Sequence, residues 1–172
     1  MTGFEPAAGG VHVDLSPWTW VLRLYLDDLD DVLGPVENIP DDPLDALAAS
    51  MEDPPERPTD PVRARLLPEA VLDDPEAAAE FRRFSQTTLA QRKRADAAAL
   101  RAVLGRPTVV DGQRARQLLG ALNDLRLMLG TRLAVTESGV MTGGEDLHAY
   151  RTYQLLTYLQ GDLVDVLAGA AP

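Results

Sequence analysis

Residues 111–133, DGQRARQLLGALNDLRLMLGTRL, decide the fold class. Asp111 is placed to cap a helix at its start. Ala115, Leu118, Leu122, Leu125, Leu129 and Leu133 recur at spacings of three and four, which puts them on one side of an α-helix. Leu119, Leu127 and Met128 widen that stripe. A helix this broadly apolar needs neighbours on several sides, so it is expected at the centre of the molecule.

Working outward, the preceding segment reads as the longest helix. Asp74 caps it, Pro75 starts it, and Gly105 closes it with Pro107 just beyond. Ala77, Phe81, Phe84, Thr88, Ala95, Ala99 and Val103 trace its expected inner stripe. Its middle, AQRKRA at 90–95, is poor in apolar residues and is expected either in solvent or against acidic partners. Residues 134–145 form a Gly-rich loop. A last helix runs from about Leu147 to Leu167, with Tyr153, Leu156, Leu159, Leu163 and Val166 facing inward.

Toward the N-terminus, Ser16 and Pro17 mark a helix start, and Gly34-Pro35 marks its end. Trp18, Val21, Leu22, Tyr25, Leu29, Val32 and Leu33 form its apolar face. Asp27, Asp28, Asp30 and Asp31 sit at the end where the helix dipole disfavours acids, so they need cations or open solvent. Residues 4–15 alternate as a hairpin, with Gly9-Gly10 at the turn. Two strands alone are marginal, so this hairpin must lean on a helix. Eight of the thirteen prolines lie between Pro35 and Pro68, an irregular connection. Short helices are expected within it over Leu44–Met51 and Val62–Leu67.

The expected architecture is all-α: a bundle of about four main helices, short extra helices and a small N-terminal β-hairpin. Residues 1–172 are read as one helical domain, with the hairpin at 1–15, the Pro-rich connection at 34–74 and the helical core at 75–172. A length of 172 residues suits one core. Hydrophobic residues make up 45% and charged residues 25%, which argues against wholesale disorder. No run approaches a membrane span, and the N-terminus shows no signal-peptide pattern.

The chain has no cysteine, which excludes disulfides, thiolate metal sites, nucleophilic thiols and thiol switches together. The net charge of −11 argues against direct DNA binding. That charge is unevenly spread. Residues 1–80 carry 19 acids and 4 bases, whereas residues 81–133 carry 11 bases and 3 acids. Lys93 is the only lysine among the sixteen basic residues.

Two clusters stand out. Glu80, Arg82 and Arg83 flank Phe81 and Phe84, and Asn123, Asp124, Arg126 and Arg132 interleave with the densest apolar run. Charges among Leu and Phe need partners, because unpaired burial costs several kcal/mol. The first reading is a structural network pairing Glu80 or Asp124 with Arg126 or Arg132. On that reading Arg126→Ala costs roughly 3 kcal/mol. The competing readings are an anion or carboxylate site, and a small enzyme; an arginine pointing unpaired into a cleft favours the ligand-site reading.

Arg92, Lys93 and Arg94 form the second cluster. It is either neutralised by the Asp27–Asp31 region or kept as a patch for an acidic partner. His12 and His148 are read as solvated or hydrogen-bonded imidazoles. No phosphate-binding loop, dinucleotide fingerprint, nucleophile elbow or zinc-protease motif is present. No cofactor or metal is therefore expected.

At DDPEAAAEFRRFSQTTLAQRK (73–93) and ALNDLRLMLGTRLAVTE (121–137) the sequence resembles the AosR-like family of actinobacterial oxidative-stress regulators. DPLDALAASM at 42–51 and the closing YQLLTYLQGDLVDVL fit the same pattern. The resemblance implies a cytoplasmic, non-enzymatic regulator of transcription in the stress response. It implies a protein partner, such as a sigma factor or another transcription component. The family's redox role rests on cysteine, so it does not carry over by that mechanism. The apolar surface of residues 118–133 and the last helix also raises the expectation of a homodimer.

Overall fold

A computed structural model describes residues 3–34, 59–68, 74–136 and 146–169, with the side chains of 75–85 excepted. The expected helix over Leu44–Met51 lies outside the described residues. The fold is mostly helical with a small antiparallel sheet. Strands β1 (Phe4–Ala7) and β2 (Gly10–Val13) form the N-terminal hairpin, and helix α1 spans Thr19–Leu33. A short helix α2 (Pro61–Leu66) precedes the long α3 (Pro75–Val103). Strand β3 (Thr108–Val110), α4 (Gly112–Arg132) and α5 (Leu147–Gly169) complete the order.

Strand β3 was not expected. It pairs antiparallel with β2, matching Val11 with Val110 and Val13 with Thr108, so the hairpin becomes a three-stranded sheet. This sheet answers the instability of an isolated hairpin. Phe4, Val11, Val13 and Val110 turn inward. The Phe4 N–H donates to Asp162 of α5 at 3.0 Å, which ties β1 to the last helix.

Helix α4 packs against α1, α2, α3, α5 and β2, the central position its broad stripe requires. Leu118, Leu122, Leu125, Met128 and Leu129 are all buried within this chain. The α4 part of the surface that raised the expectation of a homodimer is therefore used internally, whereas α5 leaves Leu147, Tyr158 and Val164 exposed.

Three local expectations are corrected. Ser16 does not cap a helix: its N–H and hydroxyl both donate to Asp14, at 3.0 and 2.5 Å. The chain instead passes through a 3-10 turn (Ser16–Trp18) before α1 begins. Asp14 is consequently held below its usual carboxylate pKa, chiefly by the Ser16 hydroxyl. The inner stripe of α3 is also shifted. Of the expected line, Ala99 and Val103 are buried, Thr88 and Ala95 are exposed, and the side chains of Ala77, Phe81 and Phe84 lie outside the described ones, while Gln86, Ala90, Ala97, Leu100 and Leu104 are buried as well. Their spacing runs through position 93, so the interior line of this helix includes the lone lysine. Finally, the hairpin turn is Ala8-Gly9, and Gly10 already belongs to β2.

The other ends follow local chemistry. Asp60 caps α2 by accepting the Arg63 N–H at 2.7 Å, and Asp111 caps α4 by accepting the Arg114 N–H at 2.7 Å. Helix α4 ends with Val135 N–H bonded to Gly130 O and Ala134 N–H bonded to Thr131 O, at 2.9 and 3.2 Å. This is a Schellman ending, in which the left-handed residue is usually glycine. Here it is Ala134, at φ 47°. Ala134→Gly should therefore stabilise the chain by about 1 kcal/mol, the left-handed penalty outweighing glycine's added unfolded-state entropy. A urea midpoint that moves upward by the corresponding amount checks this.

Candidate functional site

The sequence-predicted cluster separates into distinct places. Glu80, Arg82 and Arg83 lie on the part of α3 whose side chains are outside the described ones. Asn123 accepts a hydrogen bond from Gln160 at 3.3 Å, joining α4 to α5. Asp124 pairs with neither Arg126 nor Arg132. Its partner is Lys93, whose Nζ donates at 2.6 Å. The side chains are 15% and 4% exposed, so the ion pair is essentially inside the α3–α4 contact.

That placement has a cause on each helix. Position 93 falls on the buried line of α3, and position 124 lies among Ala121, Leu122, Leu125 and Met128 on α4. A carboxylate on such a face demands a cation, and a straight, flexible lysine stem reaches it through the packed interface. Burial pushes the Asp124 carboxyl above the usual range, opposed by the Lys93 hydrogen bond and charge. Asp96, one turn along α3, is raised by burial against the opposing pull of Arg92. Its carboxylate fits because position 120 is glycine: a Cβ there would stand 2.7 Å from Asp96 Oδ2.

Three further arginines of the central segment serve α1. Arg132 forms a two-point pair with Asp28, including Nη2 to Oδ1 at 2.9 Å. Arg101 reaches Asp27 at 2.6 Å and Asp30 at 3.0 Å. Arg94 donates to the carbonyls of Leu33 and Gly34, at 3.0 and 2.5 Å, and so satisfies the C-terminal end of α1. The acids that oppose the helix dipole are thus held by arginines from α3 and α4. Of the Arg92–Lys93–Arg94 cluster, two members are turned into the molecule.

Arg126 is the exception. Its Nε is buried and has no hydrogen-bond partner, and no ion pair joins it to a described residue. It lines a cleft of about 410 Å³ between α2, α4 and α5, together with Arg65, Thr136 and Tyr153. The 3 kcal/mol expected for Arg126→Ala therefore does not apply, because that cost belongs to an arginine holding a buried acid.

A second cleft, of about 320 Å³, lies beside β3 and mixes Arg106 and Arg114 with Asp111. His12 lies on β2, while His148 stacks on Trp20 with ring centroids 5.9 Å apart. Among the described residues there is no group of three or more metal-ligating side chains. Among them, too, no helix is long and apolar enough to cross a membrane.

Sequence reasoning found Asp124 and the need for a partner, but missed Lys93 as that partner. The available signal was the spacing 86, 90, 93, 97, 100, 104, which is regular only if the lysine is kept in the stripe. The sequence model of one family, Domain of unknown function (DUF2017), matches residues 1–167. No curated protein and no solved structure matches.

Proposed function

The chain belongs to this family of unknown function, and from that premise we propose a non-enzymatic regulatory protein that works by binding a protein partner. The observation that carries the reading is an apolar patch on a strongly charged surface. Trp20 is 63% exposed, Leu24 51% and Leu147 64%. Trp20 and Leu24 stand one turn apart on α1, and His148 stacks on Trp20 beside Leu147. Exposed Asp31 continues the same face of α1, beyond Asp27, which Arg101 already holds. Aromatic and leucine side chains rimmed by charge are typical of a protein-recognition surface.

The rim favours a partner segment with basic residues around an apolar core. Resemblance to the AosR-like regulators gives the partner class, a sigma factor or another transcription component, in the cytoplasm. On this reading the four long helices act as a bundle that presents α1. The inward placement of Lys93 and Arg94 weakens the case for direct DNA contact. A thiol switch has no place in the proposal, since the chain has no cysteine.

The test is affinity purification of the tagged chain beside a Trp20→Ser/Leu24→Ser variant. Both side chains are exposed, so the variant should keep its helical circular dichroism. The wild type should retain a sigma factor or polymerase component that the variant loses at least tenfold. Recovery of neither class of protein by the wild type overturns the reading.

A further inference from the structure

We propose that the cleft between α2, α4 and α5 is a binding site for a small oxyanion, a molecule bearing a phosphate or carboxylate group, gripped by Arg126 and Arg65. This goes beyond partner binding and rests on different residues.

The argument begins with an unmet donor. Arginine carries its charge at every accessible pH and offers five N–H groups in a fixed fork. A buried donor of this kind without an acceptor is rare in folded proteins, and an ion that completes it is one of its ordinary explanations. Arg126 has such a donor in its Nε. The other arginines of α3 and α4 that turn onto the fold have acceptors: Arg94 on α1 carbonyls, Arg101 on Asp27 and Asp30, Arg132 on Asp28. Arg126 sits on the same helix as Arg132, in a segment of the chain with a local excess of base, and is left without an acid among the described residues.

Among the described residues, the surroundings of Arg126 are those of an anion site. Arg65 comes from α2 to the same cleft, and no described acid lines it. Arg65 is exposed and Arg126 half-buried, so the cleft offers two guanidinium groups from two helices, and each matches the two-pronged geometry of phosphate and carboxylate. The cleft by β3, at the other end of α4, lacks this character, because Asp111 shares it with Arg106 and Arg114.

The shape is also prepared. Gly130 leaves room for the Tyr153 ring, whose Cε2 stands 3.2 Å from where a Cβ would be. The ring is further supported by Tyr150, stacked at 6.5 Å. A larger residue at 130 would displace the aromatic wall. The strained Ala134 lies on the cleft as well. A volume of about 410 Å³ exceeds a bare phosphate and suits a small metabolite.

The experiment is calorimetric titration of the full chain at constant ionic strength, with inorganic phosphate and citrate as separate probes and sodium chloride as control. Saturable binding of either probe supports the proposal. A response to phosphate alone gives a phosphate-bearing ligand, and a response to citrate alone gives a carboxylate-bearing one. Arg126→Gln should weaken binding by at least about tenfold, and Arg126→Lys should weaken it too, since an ammonium lacks the fork. Arg65→Gln is the second variant if Arg126→Gln does not fold, and Arg106→Gln should leave binding unchanged. Trp20→Ser/Leu24→Ser should also bind the anion normally, which separates this site from partner recognition. No saturable heat with either probe, or wild-type affinity in Arg126→Gln and Arg65→Gln, overturns the proposal.

Discussion

Lys93→Met is expected to destabilise the chain by about 3 kcal/mol, although it replaces a charged residue by an apolar one of similar length. Lys93 is the cation on Asp124, at 2.6 Å, and Asp124 has only 4% of its side chain exposed. Removing the ammonium leaves a buried carboxylate with no ion pair, and the cost is that of the stranded acid rather than of the lost contact. The companion variant Lys93→Met/Asp124→Leu tests this interpretation. It removes both charges from an interface already lined by Ala90, Ala97, Leu122 and Leu125, so most of the lost stability should return. Urea midpoints at neutral pH read both. A Lys93→Met midpoint equal to wild type would show that the pair lies in open water.

The same pair fixes a pH dependence. Asp124 and Asp96 both titrate above the usual carboxylate value of 3.8, chiefly through burial. Between that value and their folded values, the folded chain binds protons that the unfolded chain has released. Their stabilisation is therefore fully present at low pH and is lost as pH rises through the folded values. In Lys93→Met the main opposition to the Asp124 shift is gone, so its carboxyl moves further up. The deficit of this variant against wild type should accordingly be largest near neutral pH and shrink on acidification. Midpoints for the two proteins at successive pH values give the difference directly.

What was legible in the sequence was what rests on period and caps. The apolar spacing of residues 115–133, the Asp-Pro start at 74–75 and the Gly-Pro stop at 34–35 each act within a few residues. Those helices appear where the spacing predicts them. The acids at 27–31 announced a need for cations, and three of them have arginine partners. Which cation meets which acid was not legible, because pairing depends on how α3 turns against α4. The sequence groups Lys93 with Arg92 and Arg94, either neutralised by the Asp27–Asp31 region or kept as a patch, and a stripe of α3 drawn from apolar residues alone passes it by. Asp124, which the sequence offers to Arg126 or Arg132, goes to Lys93 and leaves Arg126 without it. The Arg126 cleft depends on Arg65, which is 61 positions away in the sequence, and no local pattern links the two.

The strand β3 was missed for a related reason, and its contact with β2 gives the second large effect. Thr108-Val109-Val110 is too short to declare itself by alternation. It becomes a strand because β2 has a free edge and because Gly10 lets the two backbones meet. A Cβ on residue 10 would stand 1.9 Å from the Val110 carbonyl oxygen and 2.8 Å from its carbon. Ordinary contact requires more than 3 Å, and the obstructing atoms are backbone, which cannot rotate away as a side chain can. Gly10→Ala must therefore push β2 and β3 apart at the Val11–Val110 pair. The expected cost is about 2–3 kcal/mol, the range of overpacking in a closed interior. The damage is local in kind: backbone amides of residues 108–110 should exchange faster with solvent relative to those of α5, which touches β1 rather than β3. Gly9→Ala, in the turn itself, is the contrast. Gly9 has φ 82° but no atom near its missing Cβ, so it should cost only the left-handed backbone penalty of about 1 kcal/mol and leave β3 protected. Equal losses in the two variants would mean that Gly10 is there for the turn, and that the sheet edge does not depend on it.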